Sequence, residues 1–280
     1  MYSFLIPYKS SKLIRIGSKH DGGYVVTEKV MKNIQNVLSF GIYYNWDFER
    51  NLIKYYKIKK MILADPFTPI ASLKSMINLK DRLIKNDLNQ DITSKSTIVK
   101  YFDKIKYYSI KAKLYITKYF QFHSFLLFNK KNVKFEPYGL ESFSSNYMRT
   151  LDYFRSKLSH SNNILIKMDI EGSEYNIDFS NEVFKNVQCL LIEFHDIEKN
   201  HKRLNEIIND LEKQNLYIFH IHLNNSSSII KGSSFSQTIE LSFQQRHYFG
   251  KKLEKVSKEY PLSDVDSPCE PKMKDYKLKF

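Results

Sequence analysis

Residues 164 to 175 read Ile164-Leu-Ile-Lys-Met-Asp-Ile-Glu-Gly-Ser-Glu-Tyr175, an apolar run that ends in carboxylates and a glycine. A second stretch, Cys189-Leu-Leu-Ile-Glu-Phe-His-Asp196, repeats this pattern. Short apolar runs of this kind are typical of buried strands, and open α/β sheets bind their ligands at the carboxyl ends of such strands. The two stretches therefore predict two strands whose polar ends face one crevice.

The N-terminal part of the chain contains the pattern of half a nucleoside-binding sheet. A strand at 36–41 ends in Gly41, a helix is predicted at 46–56, and a strand at 60–65 ends in Asp65. In such units the glycine lets the backbone approach a ligand, and the acid accepts hydrogen bonds from the ribose hydroxyls. The spacing is equally compatible with an acid that caps a helix or a turn.

The glycine pattern of a dinucleotide site is incomplete. Tyr43 and Tyr44 stand where a Gly-x-Gly-x-x-Gly motif has further glycines after Gly41. Tyrosines at these positions leave little room for a pyrophosphate. The sequence therefore argues against NAD as the ligand.

The alternation of strands and helices continues along the chain. Further strands are predicted at 131–136, 164–168, 189–194, 217–223 and 238–243, and further helices at 148–158 and 198–214. An N-terminal hairpin is predicted at 13–26, with its turn at Asp21-Gly22-Gly23. We expect one α/β domain over 1–280 with a Rossmann-like, seven-stranded and mostly parallel sheet.

Two segments depart from this alternation. The segment at about 73–131 contains no Gly or Pro and interleaves lysine with aromatic and aliphatic residues, which predicts a helical insertion. At about 256–280 prolines lie among charged residues, which predicts an irregular surface tail.

The positive charge of the chain is concentrated in the insertion. The formal net charge is +14, and the segment 73–134 carries 13 Lys and one Arg against four Asp and no Glu. This asymmetry favours an acidic partner such as nucleic acid, anionic lipid or a phosphorylated small molecule. The alternative is that the lysines only solvate helix faces in a chain of biased composition.

The cysteine content and the hydropathy pattern bear on the compartment. Cys189 and Cys269 are too few for a disulfide framework or a zinc site. The apolar residues 4–6 are cut short by Pro7, and no run approaches the ~18 apolar residues of a membrane span. We expect a soluble or peripheral protein of the reducing cytoplasm.

Titratable residues follow the predicted fourth and fifth strands. Asp169 and Glu171 alternate after one strand, and Glu193 and His195 after the next. Their convergence would shift their pKa values towards those useful in catalysis, whereas each residue taken singly fits a helix cap or a structural ion pair. His222 and Asn224, at the end of the predicted sixth strand, are placed to line the same crevice.

Several segments occur in a fixed order: Arg15-Ile16-Gly17 with Asp21-Gly-Gly-Tyr-Val25, Leu38-Ser-Phe-Gly41 with Trp46-Asp-Phe-Glu49, Ala64-Asp65-Pro66, Lys167-Met-Asp-Ile-Glu-Gly-Ser-Glu174, Ile192-Glu-Phe-His195 and His220-Ile-His-Leu-Asn-Asn225. In this order they resemble the FkbM-type S-adenosylmethionine-dependent methyltransferases. The sequence is most similar to bacterial enzymes of that family that O-methylate sugars of surface polysaccharides. The resemblance implies a seven-stranded sheet with an antiparallel seventh strand.

The resemblance also implies a cofactor, S-adenosylmethionine, and a set of site residues. The cofactor contacts are expected from Phe40, Gly41, Glu49, Asp65, Pro66, Tyr138 and Asp169. The substrate contacts are expected from Asp21, Gly22, Glu171, His222 and Asn224. From its charge, the insertion is expected to add Lys111 and Lys113, which would hold the phosphates of a nucleotide-linked or lipid-linked sugar.

Two mechanisms fit these residues. In the first, His195 is neutral, with a pKa near ~6.5, and takes the proton of the acceptor hydroxyl. Asp169 or Glu193 would then orient the imidazole. In the second, Asp169, Glu193 and His195 hold a divalent ion that lowers the pKa of the hydroxyl. We favour the mechanism without a metal.

Two functions of other classes remain open at this stage. The basic, aromatic insertion is compatible with an RNA-binding protein or an RNA methyltransferase, because bases stack on aromatic rings while lysines contact phosphates. It is also compatible with a noncatalytic module that docks on an anionic membrane or forms a homo-oligomer through the insertion. We expect a nucleotide-sugar or glycan acceptor and no nucleic acid.

Overall fold

A computed structural model describes residues 2–68, 113–158 and 162–280 of the chain. The chain divides into two compact units, one formed by 1–66 with 131–280 and the other by 67–130. The second unit lies close to the bounds predicted for the insertion. Most of that insertion, including Lys111, lies outside the described residues.

A seven-stranded sheet forms the centre of the first unit. Its strands are β1 (Asn36–Phe40), β2 (Lys60–Ala64), β3 (Val133–Glu136), β4 (Ile164–Met168), β5 (Val187–Phe194), β6 (Leu216–Leu223) and β7 (Ile239–Gln245). The order across the sheet is β6-β7-β5-β4-β1-β2-β3, and β7 runs antiparallel to both of its neighbours. The Rossmann-like fold and the antiparallel seventh strand that the sequence predicted are confirmed.

The central strands are apolar because both faces of the sheet are covered. Every residue of β1 and of β4 is buried. Near-continuous apolar runs are typical of parallel strands that pack on both sides. After β1 the chain continues to β2 on one side, and after β4 it continues to β5 on the other side. The topological switch point therefore lies between β1 and β4.

Four helices of the first unit are α1 (Glu28–Met31), α2 (Asp47–Tyr55), α3 (Leu151–Ser156) and α4 (His201–Lys213). Helix α4 buries Leu204, Ile207, Ile208 and Leu211, the i, i+3, i+4, i+7 pattern of an amphipathic helix. Short 3-10 helices occupy Ser3–Leu5, Ser173–Asn176, Glu182–Asn186 and Arg246–Tyr248. The helix predicted at 148–158 is shorter than expected, because Met148–Arg149 pairs with Gly139–Leu140.

The N-terminal hairpin has the predicted bounds within a residue or two. Its strands are Leu13–Gly17 and Gly23–Thr27. The hydroxyl of Thr27 donates to Gln244 Oε1 at 2.8 Å, and the hydroxyl of Ser242 donates to the carbonyl of Val25 at 2.8 Å. The hairpin is therefore attached to β7, and its turn is held at the carboxyl edge of the sheet.

The C-terminal segment, residues 256–280, is mostly exposed or half-buried, but parts of it fold onto the sheet. Tyr260 and Leu278 are buried and belong to a two-stranded pairing of Glu259–Tyr260 with Leu278–Lys279. Asp266 accepts a hydrogen bond from His220 of β6 at 3.2 Å. Polar pairs with β6 thus hold a proline-rich segment against the sheet.

The described part of the second unit contains helical residues at 113–128. Lys113 is exposed. None of the helices that the structure describes has both the length and the apolar character needed to cross a lipid bilayer.

We expect Gly41→Ala to destabilise the protein by at least about 3 kcal/mol. Gly41 has φ 72°, and a Cβ atom there would lie 1.6 Å from the carbonyl oxygen of Asp169. Gly232→Ala is the matched control, because Gly232 has a similar φ of 75° but nothing within 4 Å of a Cβ. The control should lose only about 1–2 kcal/mol from backbone strain. Urea unfolding of both variants measures the difference, and equal losses would contradict the predicted clash.

Candidate active site

A cavity of about 460 Å³ lies at the carboxyl edge of the sheet, at the switch point between β1 and β4. The hairpin turn, the loop after β1, the ends of β4 and β5, the loop after β6 and the C-terminal segment form its walls. The predicted site residues that line it are Asp21, Gly22, Gly41, Glu49, Asp169, Glu171, Glu193, His195 and Asn224. The structure thus brings together most of the residues singled out in the two opening stretches.

The cavity wall is strongly acidic. The carboxylates that line it belong to Asp21, Glu49, Asp169, Glu171, Glu193 and Glu270. Lys167 and His195 are the basic residues that line it. This surplus of negative charge favours a ligand that is cationic or rich in hydroxyl donors over a polyanion.

Lys167 joins the ends of β1 and β4. Its Nζ donates to the carbonyl of Gly41 at 2.5 Å and to that of Phe40 at 3.3 Å, and lies 3.7 Å from Asp169 Oδ2. Lys167 was not predicted as a site residue. Its position inside an apolar strand could have indicated a role, because a lysine is almost never fully buried unless it is paired.

The imidazole of His195 lies among three carboxylates. Its Nε2 is 3.3 Å from Glu193 Oε1 and 3.5 Å from Glu171 Oε2. Its Nδ1 is 3.2 Å from Glu174 Oε1, which also accepts the backbone N–H of His195 at 2.7 Å. Two of the carboxylates, those of Glu174 and Glu193, are buried.

Glu174 is a site residue that the sequence analysis did not assign. It is completely buried in the 3-10 helix Ser173–Asn176, and its Oε2 accepts the backbone N–H of Gly172 at 2.8 Å. Gly172 and Glu171 have φ of 101° and 55°, which turns the chain sharply after β4. This turn directs Glu171 outwards, where its side chain is 85% exposed. It brings the carboxylate of Glu174 next to Nδ1 of the His195 imidazole.

The predicted neutral His195 needs correction. Burial acts to lower the pKa of His195, but the hydrogen bonds and charges of Glu174 and Glu193 outweigh it and raise the pKa to about 11. The imidazole is therefore protonated at neutral pH and is a hydrogen-bond donor. In this state it cannot accept a proton from a hydroxyl group.

The pKa of Glu193 is also raised, but mainly by burial. Burial raises the pKa of Glu193 above that of an ordinary carboxyl, and the negative charges of Asp169 and Glu240 add to this effect, while the hydrogen bond from His195 opposes it. Asn224 donates to Glu193 Oε1 at 3.2 Å. Glu193 is therefore a carboxylate held in place by two donors, with a proton affinity that favours a role as base.

Two further carboxylates of the cavity also have raised pKa values. Burial, and then the charges of Asp169 and Glu240, raise the pKa of Asp21. Burial raises the pKa of Glu49, and nearby Lys167 opposes the shift. Glu49 accepts a short hydrogen bond from the hydroxyl of Ser39, while its Oε2 is buried with no hydrogen-bond partner among the described residues.

The other predicted cofactor residues do not line the cavity. Asp65 is buried, and its Oδ2 accepts the backbone N–H of Tyr43 at 2.7 Å. Phe40 is in the core, Pro66 packs near Gly139, and Arg149 stacks over the ring of Tyr138 at 3.9 Å.

His222 is not on the cavity wall, contrary to its prediction as a substrate contact. It is 2% exposed, and its Nε2 is hydrogen-bonded to Asp275 Oδ2 at 3.0 Å. The C-terminal segment covers it, and no sequence pattern indicates that this segment folds back. Its neighbour Asn224 does line the cavity.

A cluster of possible metal ligands lies at the cavity. One ligand atom each from Asp169, Glu171 and His195 lies within 4.8 Å of the others. The set differs from the predicted one, which had Glu193 in place of Glu171. Carboxylate oxygens and an imidazole nitrogen are donors that suit a divalent cation.

No protein-family model matches the sequence, and no curated protein matches it significantly. The solved structures to which the chain is similar include two methyltransferases. One is precorrin-6y C5,15-methyltransferase from Geobacter metallireducens GS-15, with a TM-score of 0.34 and 6% identity over 78% of this chain and 84% of that chain. The other is M. jannaschii TYW2 in complex with AdoMet, with a TM-score of 0.32 and 10% identity over 78% of this chain and 74% of that chain.

Proposed function

We propose that this protein is an S-adenosylmethionine-dependent methyltransferase that methylates a sugar hydroxyl. The observation that carries the proposal is the acidic cavity at the switch point of the sheet, with Glu49 and Asp169 beside the Gly41 turn. Open α/β sheets bind their ligands in this crevice. Of the motifs that resemble sugar O-methyltransferases, all except Ala64-Asp65-Pro66 contribute residues to its wall.

The residues around the turn after β1 fit the cationic end of the cofactor. S-adenosylmethionine carries positive charge on its sulfonium and amino groups. The buried Oε2 of Glu49 lacks a hydrogen-bond partner among the described residues, and an amino group would supply one. Gly41, Glu49 and Asp169 would hold the cofactor, which when bound supplies a methyl group already activated for transfer.

The same charge distribution favours a neutral, hydroxylated acceptor group. Carboxylates are acceptors only, so Asp21, Glu171 and Glu193 suit the hydroxyl donors of a sugar ring. Phosphates would be repelled, and in a nucleotide-linked sugar they would have to lie outside the cavity. The acidic wall disfavours the RNA alternative for the same reason.

In this proposal Glu193 takes the proton of the acceptor hydroxyl. A base is most effective when its pKa lies near the working pH, and burial raises the pKa of Glu193 towards that range. His195, as an imidazolium, orients Glu193 from 3.3 Å. A divalent ion on Asp169, Glu171 and His195 is the second candidate, because their ligand atoms lie within 4.8 Å of one another.

Transfer of a labelled methyl group to a panel of acceptors tests the proposal. We expect label in nucleotide-linked or glycan sugars, no label in RNA, and calorimetric binding of S-adenosylmethionine. A chelator that abolishes transfer would select the metal mechanism. Failure to bind S-adenosylmethionine would contradict the proposed function, and label in RNA would contradict its substrate class.

Asp65→Ala is expected to weaken S-adenosylmethionine binding by about 1.5–3 kcal/mol for each hydrogen bond lost to the carboxylate. The acid would accept hydrogen bonds from the cofactor's ribose, in addition to the one that it accepts from Tyr43. Calorimetry measures the affinity, and Asp264→Ala, an exposed acid of the C-terminal segment, is the control. Unchanged affinity in a folded Asp65→Ala variant would remove Asp65 from the cofactor site.

Replacing Lys111 and Lys113 together is expected to raise KM for a phosphorylated acceptor with little change in kcat. Contacts with phosphates are made equally in the ground and transition states, so their loss affects binding alone. Added salt should raise KM in the same way. A free sugar acceptor should be insensitive to both changes, and insensitivity of the phosphorylated acceptor would show that the lysines only solvate the insertion.

A further inference from the structure

His222, Glu240 and Cys269 form a second cluster of possible metal ligands, behind the cavity wall. One ligand atom of each lies within 4.8 Å of the other two, and all three residues are buried. They come from β6, from β7 and from the C-terminal segment. None of them has a role in the proposed methyl transfer.

The distances in this cluster match those of a tetrahedral metal site. His222 Nδ1 lies 3.5 Å from Glu240 Oε2 and 4.0 Å from Cys269 Sγ, and the sulfur lies 3.8 Å from Glu240 Oε1. At usual zinc bond lengths a tetrahedral site separates nitrogen from oxygen by about 3.4 Å and sulfur from either by about 3.6 Å. The two contacts of Glu240 are made by different carboxylate oxygens, so a rotation of this carboxylate together with shifts of a few tenths of an ångström would place one oxygen, Nδ1 and Sγ on one ion.

A contact at Nε2 of His222 leaves its other ring nitrogen, Nδ1, as the possible metal ligand. Its Nε2 is held by Asp275 Oδ2 at 3.0 Å, with both side chains largely buried. A carboxylate that accepts the other ring N–H is the usual outer partner of a metal-binding histidine, because it fixes the ring and its tautomer. This contact leaves Nδ1 directed at Glu240 and Cys269.

Glu240 belongs to a row of titratable side chains that crosses the sheet. Glu240 pairs directly with His222 on one side and with Glu193 on the other, so three titratable side chains lie in a row across β6, β7 and β5. A divalent ion on Glu240 would offset this concentration of negative charge.

We propose that His222, Glu240 and Cys269 bind a thiophilic divalent cation, zinc by its ligand set, which fastens the C-terminal segment to the sheet. A thiolate ligand favours zinc over magnesium or calcium. Binding replaces the thiol proton of Cys269 and leaves His222 Nδ1 unprotonated, so the released protons pass to solvent. Cys269 and Glu270 line the cavity, so the ion fixes one of its walls.

Metal analysis of the full chain, purified without a metal-affinity tag and supplied with zinc, tests this site. We expect close to stoichiometric zinc in the wild type and in Cys189→Ala, which removes the other buried thiol. Cys269→Ser and His222→Gln should lose zinc. Asp275→Asn should bind it roughly 10–100-fold more weakly, the usual effect of losing an outer partner.

Cobalt substitution distinguishes a metal site from a hydrogen-bond network, because only a metal site with a thiolate ligand gives a thiolate-to-cobalt absorption band. The thiolate-to-cobalt charge-transfer band should be present in the wild type and in Cys189→Ala and absent in Cys269→Ser, with circular dichroism to verify the fold of each. His195→Gln should keep its zinc, because it alters the other cluster. The proposal is overturned if the wild type binds neither zinc nor cobalt. It is also overturned if Cys269→Ser retains zinc while His195→Gln loses it. Either result would mean that His222, Glu240 and Cys269 form only a hydrogen-bond network.

Discussion

Glu193→Gln is expected to lower kcat by roughly 10²–10⁴-fold, the usual worth of a positioned general base. The amide retains the shape and the contact with Asn224, but it cannot take a proton. Affinity for S-adenosylmethionine should stay near that of the wild type, because the change affects the acceptor side of the cavity. Steady-state kinetics and calorimetry measure the two effects separately.

The control for this variant is Glu182→Gln. Its side chain is 79% exposed and lies in the 3-10 helix Glu182–Asn186, away from the cavity wall. The same chemical change there should leave kcat within a small factor of the wild-type value. A Glu193→Gln variant that keeps most of its turnover would exclude Glu193 as the base.

The pH dependence separates Glu193 from His195 as the base. The pKa of Glu193 is raised, so activity should fall as the pH drops through a value above the ordinary carboxyl range. In His195→Gln this fall should move to higher pH, because the hydrogen bond and charge of His195 lower the pKa of Glu193. If neutral His195 were the base, activity would instead keep rising towards its pKa of about 11.

The sequence predicted the sheet well because its signals are local. Each parallel strand is an apolar run of a few residues that ends in a polar or glycine residue, and this pattern does not depend on distant contacts. The stretches at 164–175 and 189–196 also predicted that Asp169, Glu193 and His195 converge. Strands that end at one edge of a sheet place their last side chains together, whatever the rest of the chain does.

The protonation of His195 could not be predicted in the same way. It depends on Glu174, which lies 21 residues away in sequence and reaches the imidazole only because the chain turns sharply at Gly172. A buried carboxylate on one ring nitrogen and Glu193 on the other outweigh the cost of burying the charge. Sequence spacing gives neither the burial nor the distances on which this balance depends.

The C-terminal segment was misjudged for a related reason. Its prolines and charges are typical of surface, but Asp266 and Asp275 are the partners of two buried histidines in β6. Such pairs are separated by about 50 residues and leave no periodic pattern. Asp266 and Asp275 lie against the sheet because each meets a histidine of β6, which hydropathy does not record.

Glu174→Ala is expected to destabilise the protein by about 3–5 kcal/mol, the usual loss when one partner of a buried ion pair is removed. The change removes one of the two buried carboxylates that pair with the His195 imidazolium and leaves the N–H groups of Gly172 and His195 without their acceptor. Urea unfolding measures the loss, with Glu182→Gln as the exposed control.

The pH dependence of this loss separates the charge of Glu174 from its packing. The pKa of His195 in the folded protein lies above its unfolded value of 6.5, so the stabilisation is complete below pH 6.5 and is lost as the pH rises towards about 11. The stability difference between wild type and Glu174→Ala should therefore shrink once the pH exceeds the lower pKa that His195 has in the variant, where Glu193 alone raises it, by at most about 1.4 kcal/mol per pH unit. A difference that stays constant from pH 6 to pH 11 would mean that Glu174 acts through packing and backbone hydrogen bonds and not through the charge of His195.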